Sequence, residues 1–302
     1  MRKAISILGP THCGKSELAI EVNKLFPSKI ISVDSVQVYK SANIGSSKPE
    51  KEILNKIHHG LINILELEDD FSVNDFLRNV SEELSESSKN PLFVGGTMMY
   101  FYSLFNGISK LPKKKVSLRK KIESEAKKVG WGRMYSNLKE IDPQAAESIE
   151  PSDSQRILRA LEVNKQSDIS FSDLKKIKRK SIIEDYQKFT FALVPRCKKK
   201  FKNKLKERFM KMLDLGLVEE TSKIMSKGNG KTIKVLKTVG YKQVVDFLSK
   251  KISYEEMIEL ATNATYQLSK RQITWLKKFK IDATIYSDED DKVMKILSII
   301  EN

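Results

Sequence analysis

The run Ala4-Ile5-Ser6-Ile7-Leu8-Gly9-Pro10-Thr11-His12-Cys13-Gly14-Lys15-Ser16 decides the fold. Its first five residues make a short apolar run of strand length, and its last eight match the pattern G-x-x-x-x-G-K-[ST]. After it, Leu18, Ala19, Val22, Leu25 and Phe26 recur at helical spacing until Pro27 ends the pattern. Strand, glycine-bounded loop and helix in that order predict a phosphate loop. Gly9 and Gly14 free the backbone N–H groups to wrap phosphate oxygens, Lys15 supplies a point charge, and Ser16 is a candidate ligand for Mg²⁺. Pro10, Thr11, His12 and Cys13 complete the loop. The pattern does not require His12 or Cys13, which read as loop filling rather than as a base or a nucleophile.

Working outward, residues 30–33 (Ile-Ile-Ser-Val) are a second buried-strand candidate closed by Asp34. Residues 92–94 are a third, opening into Gly95-Gly96-Thr97. Residues 61–65 read as a further strand with the pair His58-His59 at its start. No Cys and no H-E-x-x-H pattern accompanies that pair, so a structural role is preferred to a metal site. Strands separated by helices predict an α/β fold: a phosphate-loop NTPase-like core with a parallel sheet flanked by helices. From Leu111 the texture changes. Lys113-Lys114-Lys115, Arg119-Lys120-Lys121, Lys175-Lys176 and Lys178-Arg179-Lys180 punctuate helical patterns, among them residues 155–163 with Ile157, Leu158 and Leu161 apolar. The predicted division is a catalytic core of residues 1–111 and 190–302 interrupted by a helical insertion domain of residues 112–189. Residues 189–194 alternate like a strand returning to the sheet, and Phe201, Leu205, Phe209, Met212 and Leu213 make a helical stripe ending at Gly216. The acidic residues 288–291 read as a solvated turn before a last helix.

Composition narrows the class. At 302 residues, 40% hydrophobic and 31% charged, the chain is a folded globular protein rather than a disordered one. No apolar run reaches the roughly 18 residues of a membrane span. The apolar run after Met1-Arg2-Lys3 stops at Gly9-Pro10, too soon for a signal peptide. The expectation is cytoplasmic, with no membrane association. Cys13 and Cys197 stand alone, which argues against a disulfide framework or a zinc module. Net charge is +16, and its distribution is uneven: residues 1–110 carry 12 basic and 13 acidic side chains, residues 111–302 carry 43 and 26. So lopsided a charge points to a polyanionic partner for the second half, because neutralising phosphates releases counterions. A solvated lysine-rich surface is the plainer account of the same numbers.

Asp34 sits where a strand beside the phosphate loop should end. There a carboxylate faces the ligand crevice and a base acting on an incoming nucleophile belongs. The alternative is an aspartate that only caps a turn.

With these stretches in view, the chain resembles the tRNA dimethylallyltransferase (isopentenyltransferase) family. The resemblance is carried by Gly-Pro-Thr-x-x-Gly-Lys-Ser, by Ile31-Ser32-Val33-Asp34-Ser35-Val36-Gln37-Val38-Tyr39, and by Val94-Gly95-Gly96-Thr97-Met98. It continues through Asp153-Ser154-Gln155-Arg156-Ile157-Leu158-Arg159-Ala160-Leu161-Glu162, Val239-Gly240-Tyr241-Lys242-Gln243, and Lys270-Arg271-Gln272-Ile273-Thr274-Trp275-Leu276-Lys277. These blocks stand in family order over about residues 5–277. The resemblance implies a monomer that transfers dimethylallyl from dimethylallyl diphosphate to N6 of the adenine immediately 3′ of the anticodon in a tRNA anticodon stem-loop. The phosphate loop would hold the diphosphate with Mg²⁺, and Thr11 and Arg159 would assist the leaving group. Asp34 would be the general base, and the adenine would be flipped into a channel. Ser35 and Gln37 would read the base edge, with Val36 beside them. Thr97, Arg119, Gln155, Arg156, Ile157, Leu158, Lys237, Gly240, Tyr241, Lys242, Lys270, Arg271, Gln272, Thr274, Trp275 and Lys277 would contact tRNA. For Trp275, core packing competes with base contact. Lys242 and Lys277 stand where the family usually has Arg, which keeps a phosphate contact but not a bidentate one.

Three rivals share parts of this pattern. A small-molecule kinase would need the loop but not the basic second half. An adenylate isopentenyltransferase would use free nucleotides, against the charge asymmetry. A non-catalytic RNA-binding protein leaves Lys15, Ser16, Asp34 and Arg159 without a joint purpose.

Overall fold

The computed structural model describes residues 1–177, 180–228 and 233–301. Lys178 and Arg179 of the basic cluster noted above lie outside the described residues. The chain divides into two compact units, Met1–Phe105 with Ile182–Asn302, and Asn106–Ser181.

The larger unit is built on one parallel sheet. In chain order it contains β1 (Lys3–Leu8), α1 (Lys15–Leu25), β2 (Ser28–Val33), α2 (Lys51–Lys56), β3 (His59–Gly60), α3 (Val73–Ser85), β4 (Asn90–Gly95) and α4 (Met98–Asn106). The helices of the smaller unit follow: α5 (Val116–Ile141), α6 (Pro143–Glu147), α7 (Ser154–Asn164) and α8 (Phe171–Lys176). The chain then returns through β5 (Gln187–Val194), α9 (Lys198–Asp214), α10 (Leu217–Lys227), a 3₁₀ turn (Val235–Lys237), α11 (Tyr241–Leu248), α12 (Tyr254–Leu276), β6 (Ala283–Tyr286) and α13 (Lys292–Glu301). Strand order is β3-β2-β4-β1-β5-β6, and every pairing is parallel.

Local chemistry sets these elements. β1 is buried from Ala4 to Leu8, as a central strand covered on both faces requires. Glu17 in the first turn of α1 and Lys24 in its last complement the helix dipole. Capping boxes start α3 (Ser72 with Asp75) and α12 (Ser253 with Glu256). Asp153 caps α7 by accepting from the Arg156 N–H at 3.0 Å. One core joins Ile5, Ile7, Leu18, Val22, Phe191, Phe201, Leu205 and Ile296 around the sheet. A second gathers Val38, Tyr39, Phe209, Leu217, Tyr241, Val244 and Met257. The helical unit has its own, including Ile122, Met134, Leu138, Ile157, Leu158 and Leu161.

The fold corrects three sequence expectations. Residues 61–65 are not a strand: the strand is His59–Gly60, and it stops because Leu61 and Asn63 take positive φ (65° and 58°). β2 is not next to β1, since β4 lies between them; Asp34 therefore reaches the loop's edge of the sheet from one strand further away. The units part at 106 and 181 rather than at 112 and 189. The strand that returns the chain to the core begins at Gln187, and Ser109 and Lys110 already bond within the helical unit, to Lys175 O and Ile177 O.

Two glycines close the sheet's C-terminal edge. A Cβ on Gly9 would lie 2.1 Å from Leu193 O, and one on Gly95 would lie 2.1 Å from Val33 O. Both obstacles are backbone, which cannot rotate aside. Gly95→Ala is expected to lower the free energy of unfolding by about 1–3 kcal/mol through overpacking, read from urea midpoints. At exposed Gly132 an added Cβ would meet nothing within 4 Å. Gly132→Ala should therefore stay within about 1 kcal/mol of the parent. Equal effects of the two substitutions would contradict the close-approach argument.

Candidate active site at the C-terminal edge of the sheet

The loop between β1 and α1 turns through left-handed backbone at His12 (φ 68°) and Gly14 (φ 81°). Lys15 Nζ donates to Pro10 O at 2.6 Å, folding the ammonium over the loop. Burial holds Lys15 below its ordinary pKa, while the Asp34 carboxylate acts in the opposite sense. Burial and then the positive charges of Arg208 and Lys15 hold His12 well below the usual imidazole value. Its Nδ1 is buried without a hydrogen-bond partner among the described residues. Cys13 packs in the sheet core, and burial pushes its thiol to about 11. Both placements agree with loop filling, although His12 also lines the main cavity.

Gln272, expected to contact tRNA, lines the cavity and braces the loop. Its Oε1 accepts from the Thr11 N–H at 3.1 Å, and its Nε2 donates to Gly96 O at 2.8 Å. One amide therefore joins α12 to the ends of β1 and β4.

Asp34 caps a turn and also lines the cavity. Oδ1 accepts from the N–H groups of Val36 (2.8 Å) and Gln37 (3.1 Å), a turn cap. No hydrogen bond to Oδ2 occurs among the described residues, and Asp34 lines the cavity. Ser35 N–H donates to Thr97 Oγ1 at 3.2 Å, and Ser35, Val36 and Thr97 all reach the cavity lining. The Gln37 amide is turned inward: its Oε1 accepts from Ser32 Oγ at 2.9 Å and its Nε2 donates to Ser46 O and Ser47 O, both at 3.3 Å.

Above this edge lies a cavity of about 410 Å³. Thr11, His12 and Asp34 give it polar lining, and Leu205, Phe209 and Met212 of α9 give it apolar lining. Gly240, Arg271, Gln272 and Trp275 complete the side formed by the later helices. Trp275 is half-buried, packed edge-on to Tyr102 at 6.1 Å with Lys278 over its ring at 4.3 Å; it belongs to the cavity wall rather than to the core. Lys270, Thr274 and Lys277 are exposed at the end of α12, as is Lys237 in the 3₁₀ turn. Lys242 is exposed and paired with Asp246 at 3.5 Å. Tyr241 is a correction: its side chain has no exposed surface, its hydroxyl donates to Glu220 at 2.6 Å, and it is core rather than a tRNA contact.

In the helical unit, Arg159 Nη1 meets buried Glu162 at 2.7 Å and Nη2 donates to Pro112 O at 2.6 Å. Arg119 reaches the same carboxylate at 3.5 Å. Glu162 thus fixes both guanidinium groups in place. Gln155 and Arg156 are exposed, the latter paired with Asp153 at 3.4 Å. Ile157 and Leu158 are 0% and 4% exposed, so these side chains build that unit's core and do not face RNA.

Sequence reasoning missed Arg208. It lies within the charge field of His12 and Lys15, and burial presses its own pKa down. A signal existed: positions 205, 208, 209 and 212 share one helical face, so Arg208 is a charge inside an apolar stripe. For Mg²⁺ the donors are few. Among the described residues no group of three His, Cys, Asp or Glu could hold a metal. Ser16, in the first turn of α1, lines a small neighbouring cavity with Ser32, Gln37 and His59. One hydroxyl fits an ion that takes its other ligands from phosphate oxygens and water.

A parallel sheet with a phosphate-loop sequence after its first strand and a cavity over its C-terminal edge define an α/β enzyme of the phosphate-loop class. More particularly, the chain belongs to the IPP transferase family, whose sequence profile matches residues 37–279; an isopentenyl transferase profile matches residues 2–70. It is a transferase. The chain is similar to the solved tRNA isopentenylpyrophosphate transferase of Bacillus halodurans, at 27% identity over 100% of this chain and 96% of that one, with a TM-score of 0.71. It is similar at 27% identity to the tRNA delta(2)-isopentenylpyrophosphate transferase of Staphylococcus epidermidis, over 100% and 98% of the two chains, with a TM-score of 0.68. A eukaryotic dimethylallyltransferase captured acting on tRNA shares the fold, with a TM-score of 0.81 at 24% identity over 100% of this chain and 78% of that one. No helix among the described residues is long and apolar enough to cross a membrane.

The two thiols should differ in reactivity. With a pKa of about 11, roughly one Cys13 thiol in a thousand is ionised at pH 8, and it is buried. Cys197 is exposed, and N–H groups at the start of α9 lower its pKa. Iodoacetamide at pH 8 is expected to modify Cys197 in the folded protein and Cys13 only after urea unfolding. Equal labelling of both in the native state would contradict the placement of Cys13.

Proposed function

We propose that this chain transfers a dimethylallyl group from dimethylallyl diphosphate to N6 of the adenine immediately 3′ of the anticodon in tRNA, giving N6-isopentenyladenosine. The observation that carries the reading is the mixed lining of one cavity: phosphate-loop residues and Asp34 together with Leu205, Phe209 and Met212 of α9. A five-carbon prenyl diphosphate calls for both kinds of surface. Membership of the IPP transferase family and likeness to two tRNA isopentenylpyrophosphate transferases support the choice of substrates.

In this reading the N–H groups of the loop, Lys15 and the Thr11 hydroxyl hold the diphosphate. Arg208, near His12 and Lys15, adds positive charge there. Their pKa values are depressed by burial, so a bound anion restores the favour of their charged forms and gains strength from the low local dielectric. Ser16 would hold Mg²⁺, which neutralises charge on the departing diphosphate. The apolar wall of Leu205, Phe209 and Met212 takes the prenyl tail and excludes water that would otherwise capture the allylic carbon. N6 attacks the prenyl C1, the C1–O bond to diphosphate breaks, and the N6 proton passes to Asp34 Oδ2. An adenine amine is a weak nucleophile, so alignment contributes more than base strength. To reach this cavity the base leaves its stack. Trp275 on the cavity wall offers an aromatic face, and exposed Lys270, Arg271, Thr274 and Lys277 suit a phosphate backbone. We assign further tRNA contacts to exposed Gln155 and Arg156 of the helical unit.

Mass analysis of nucleosides from tRNA incubated with dimethylallyl diphosphate and Mg²⁺ should show N6-isopentenyladenosine, with AMP inert as acceptor. Prenylated AMP, or phosphate transfer to a metabolite without prenylated tRNA, would refute the assignment. Asp34→Asn keeps an Oδ1 that caps the turn while removing the base. It is expected to lower kcat by about a hundredfold or more, with anticodon stem-loop affinity within about threefold of the parent. Undiminished turnover in that variant would exclude Asp34 as the base.

A further inference from the structure

Residues 43–47 form part of the cavity wall through Gly45, Ser46 and Ser47, yet lie in no helix or strand. Irregular backbone keeps one shape only where its polar groups find partners. Here three of the five backbone N–H groups donate to one side chain 175–177 residues further along. Glu220 Oε2 accepts from the N–H groups of Asn43 (3.0 Å) and Ile44 (2.9 Å). Its Oε1 accepts from Gly45 N–H (3.1 Å) and from the Tyr241 hydroxyl (2.6 Å). The Tyr241 ring lies so close to Gly45 that a Cβ there would fall 2.3 Å from Cζ. Carboxylate, phenol and wall are therefore one packed unit.

A second anchor holds the same segment. Lys48 Nζ donates to Tyr39 O, to Asn43 Oδ1 (3.1 Å) and to Asn63 Oδ1 (2.6 Å). From the wall, hydrogen bonds run toward the proposed base: Gln37 Nε2 donates to Ser46 O and Ser47 O, and Gln37 N–H donates to Asp34 Oδ1. Among the described residues no hydrogen bond joins 43–47 to the phosphate loop. A carboxylate beside a cavity that receives a polyanion is unfavourable unless its charge is matched, and four donors match this one.

We propose that Glu220 is a positioning residue that holds residues 43–47 as the wall against which the acceptor nucleotide seats, with no part in binding the diphosphate donor. This rests on the reaction assigned above. A glutamine cannot reproduce the clamp, because its NH₂ end has no lone pair for the N–H groups it would face.

For Glu220→Gln, KM for an anticodon stem-loop RNA should rise about tenfold, as for one lost charge-assisted hydrogen bond. KM for dimethylallyl diphosphate should stay within about twofold, and amide exchange at residues 43–45 should speed at least about tenfold. Should that variant fail to fold, Lys48→Met carries the test: it loosens the same segment from its other end and must show the same split. Equal changes in both KM values, or an unchanged acceptor KM, overturn the assignment to the acceptor. Unchanged amide exchange overturns the clamp itself. A parent protein that transfers nothing to tRNA overturns the reaction and with it the acceptor role, while the exchange result still judges the clamp.

Discussion

Backbone approaches backbone at two points where not even one carbon atom fits between, Gly9 against Leu193 and Gly95 against Val33. These contacts bring the ends of β1, β2, β4 and β5 together, and the amide of Gln272 then bridges Thr11 N–H to Gly96 O from α12. Everything the site does depends on this closed edge. It sets where the phosphate loop lies relative to the end of β2, and so allows Asp34 to line the same cavity although its strand is not adjacent to β1.

The electrostatics of the loop follow from the same closeness. Lys15, Arg208 and His12 crowd one buried region, and burial depresses the pKa of each. The two cations also lower His12 through their fields, which keeps its imidazole neutral. Such a group of donors is uncomfortable without an anion and well prepared for one. Residues 43–47 of the cavity wall are organised differently, by matched hydrogen bonds around Gln37, the Glu220 carboxylate and Tyr241.

How much of this was legible in the sequence depends on the range of the interactions involved. The β1–loop–α1 unit was readable because period, glycine placement and Lys15-Ser16 are all local. The parallel sheet followed from the alternation of elements. Residues 61–65 misled because their apolar run carries no mark of the positive φ at Leu61 and Asn63. β6, four residues at the sheet's edge, is too short to announce itself. The roles of Gln37, Gln272 and Glu220 were hidden for one reason: each side chain bonds backbone or side chains set by the tertiary fold, and residue type alone does not say whether an amide reads a ligand or braces a loop. The resemblance places Ile157, Leu158 and Tyr241 at an interface, but their apolar bodies belong to cores. Arg208 could have been found as the charge on an apolar helical face.

In the proposed reaction the cavity over the sheet's C-terminal edge receives the substrates. The chain has two tryptophans, Trp131 in the helical unit and Trp275 on the cavity wall. In a Trp131→Phe protein the only indole reports on that wall. Addition of an anticodon stem-loop RNA together with a non-reactive thiolodiphosphate analogue of the prenyl donor should shift its emission saturably. The midpoint should match binding followed independently by anisotropy of a fluorophore on the RNA. Saturable RNA binding with no change in Trp275 emission would contradict the account.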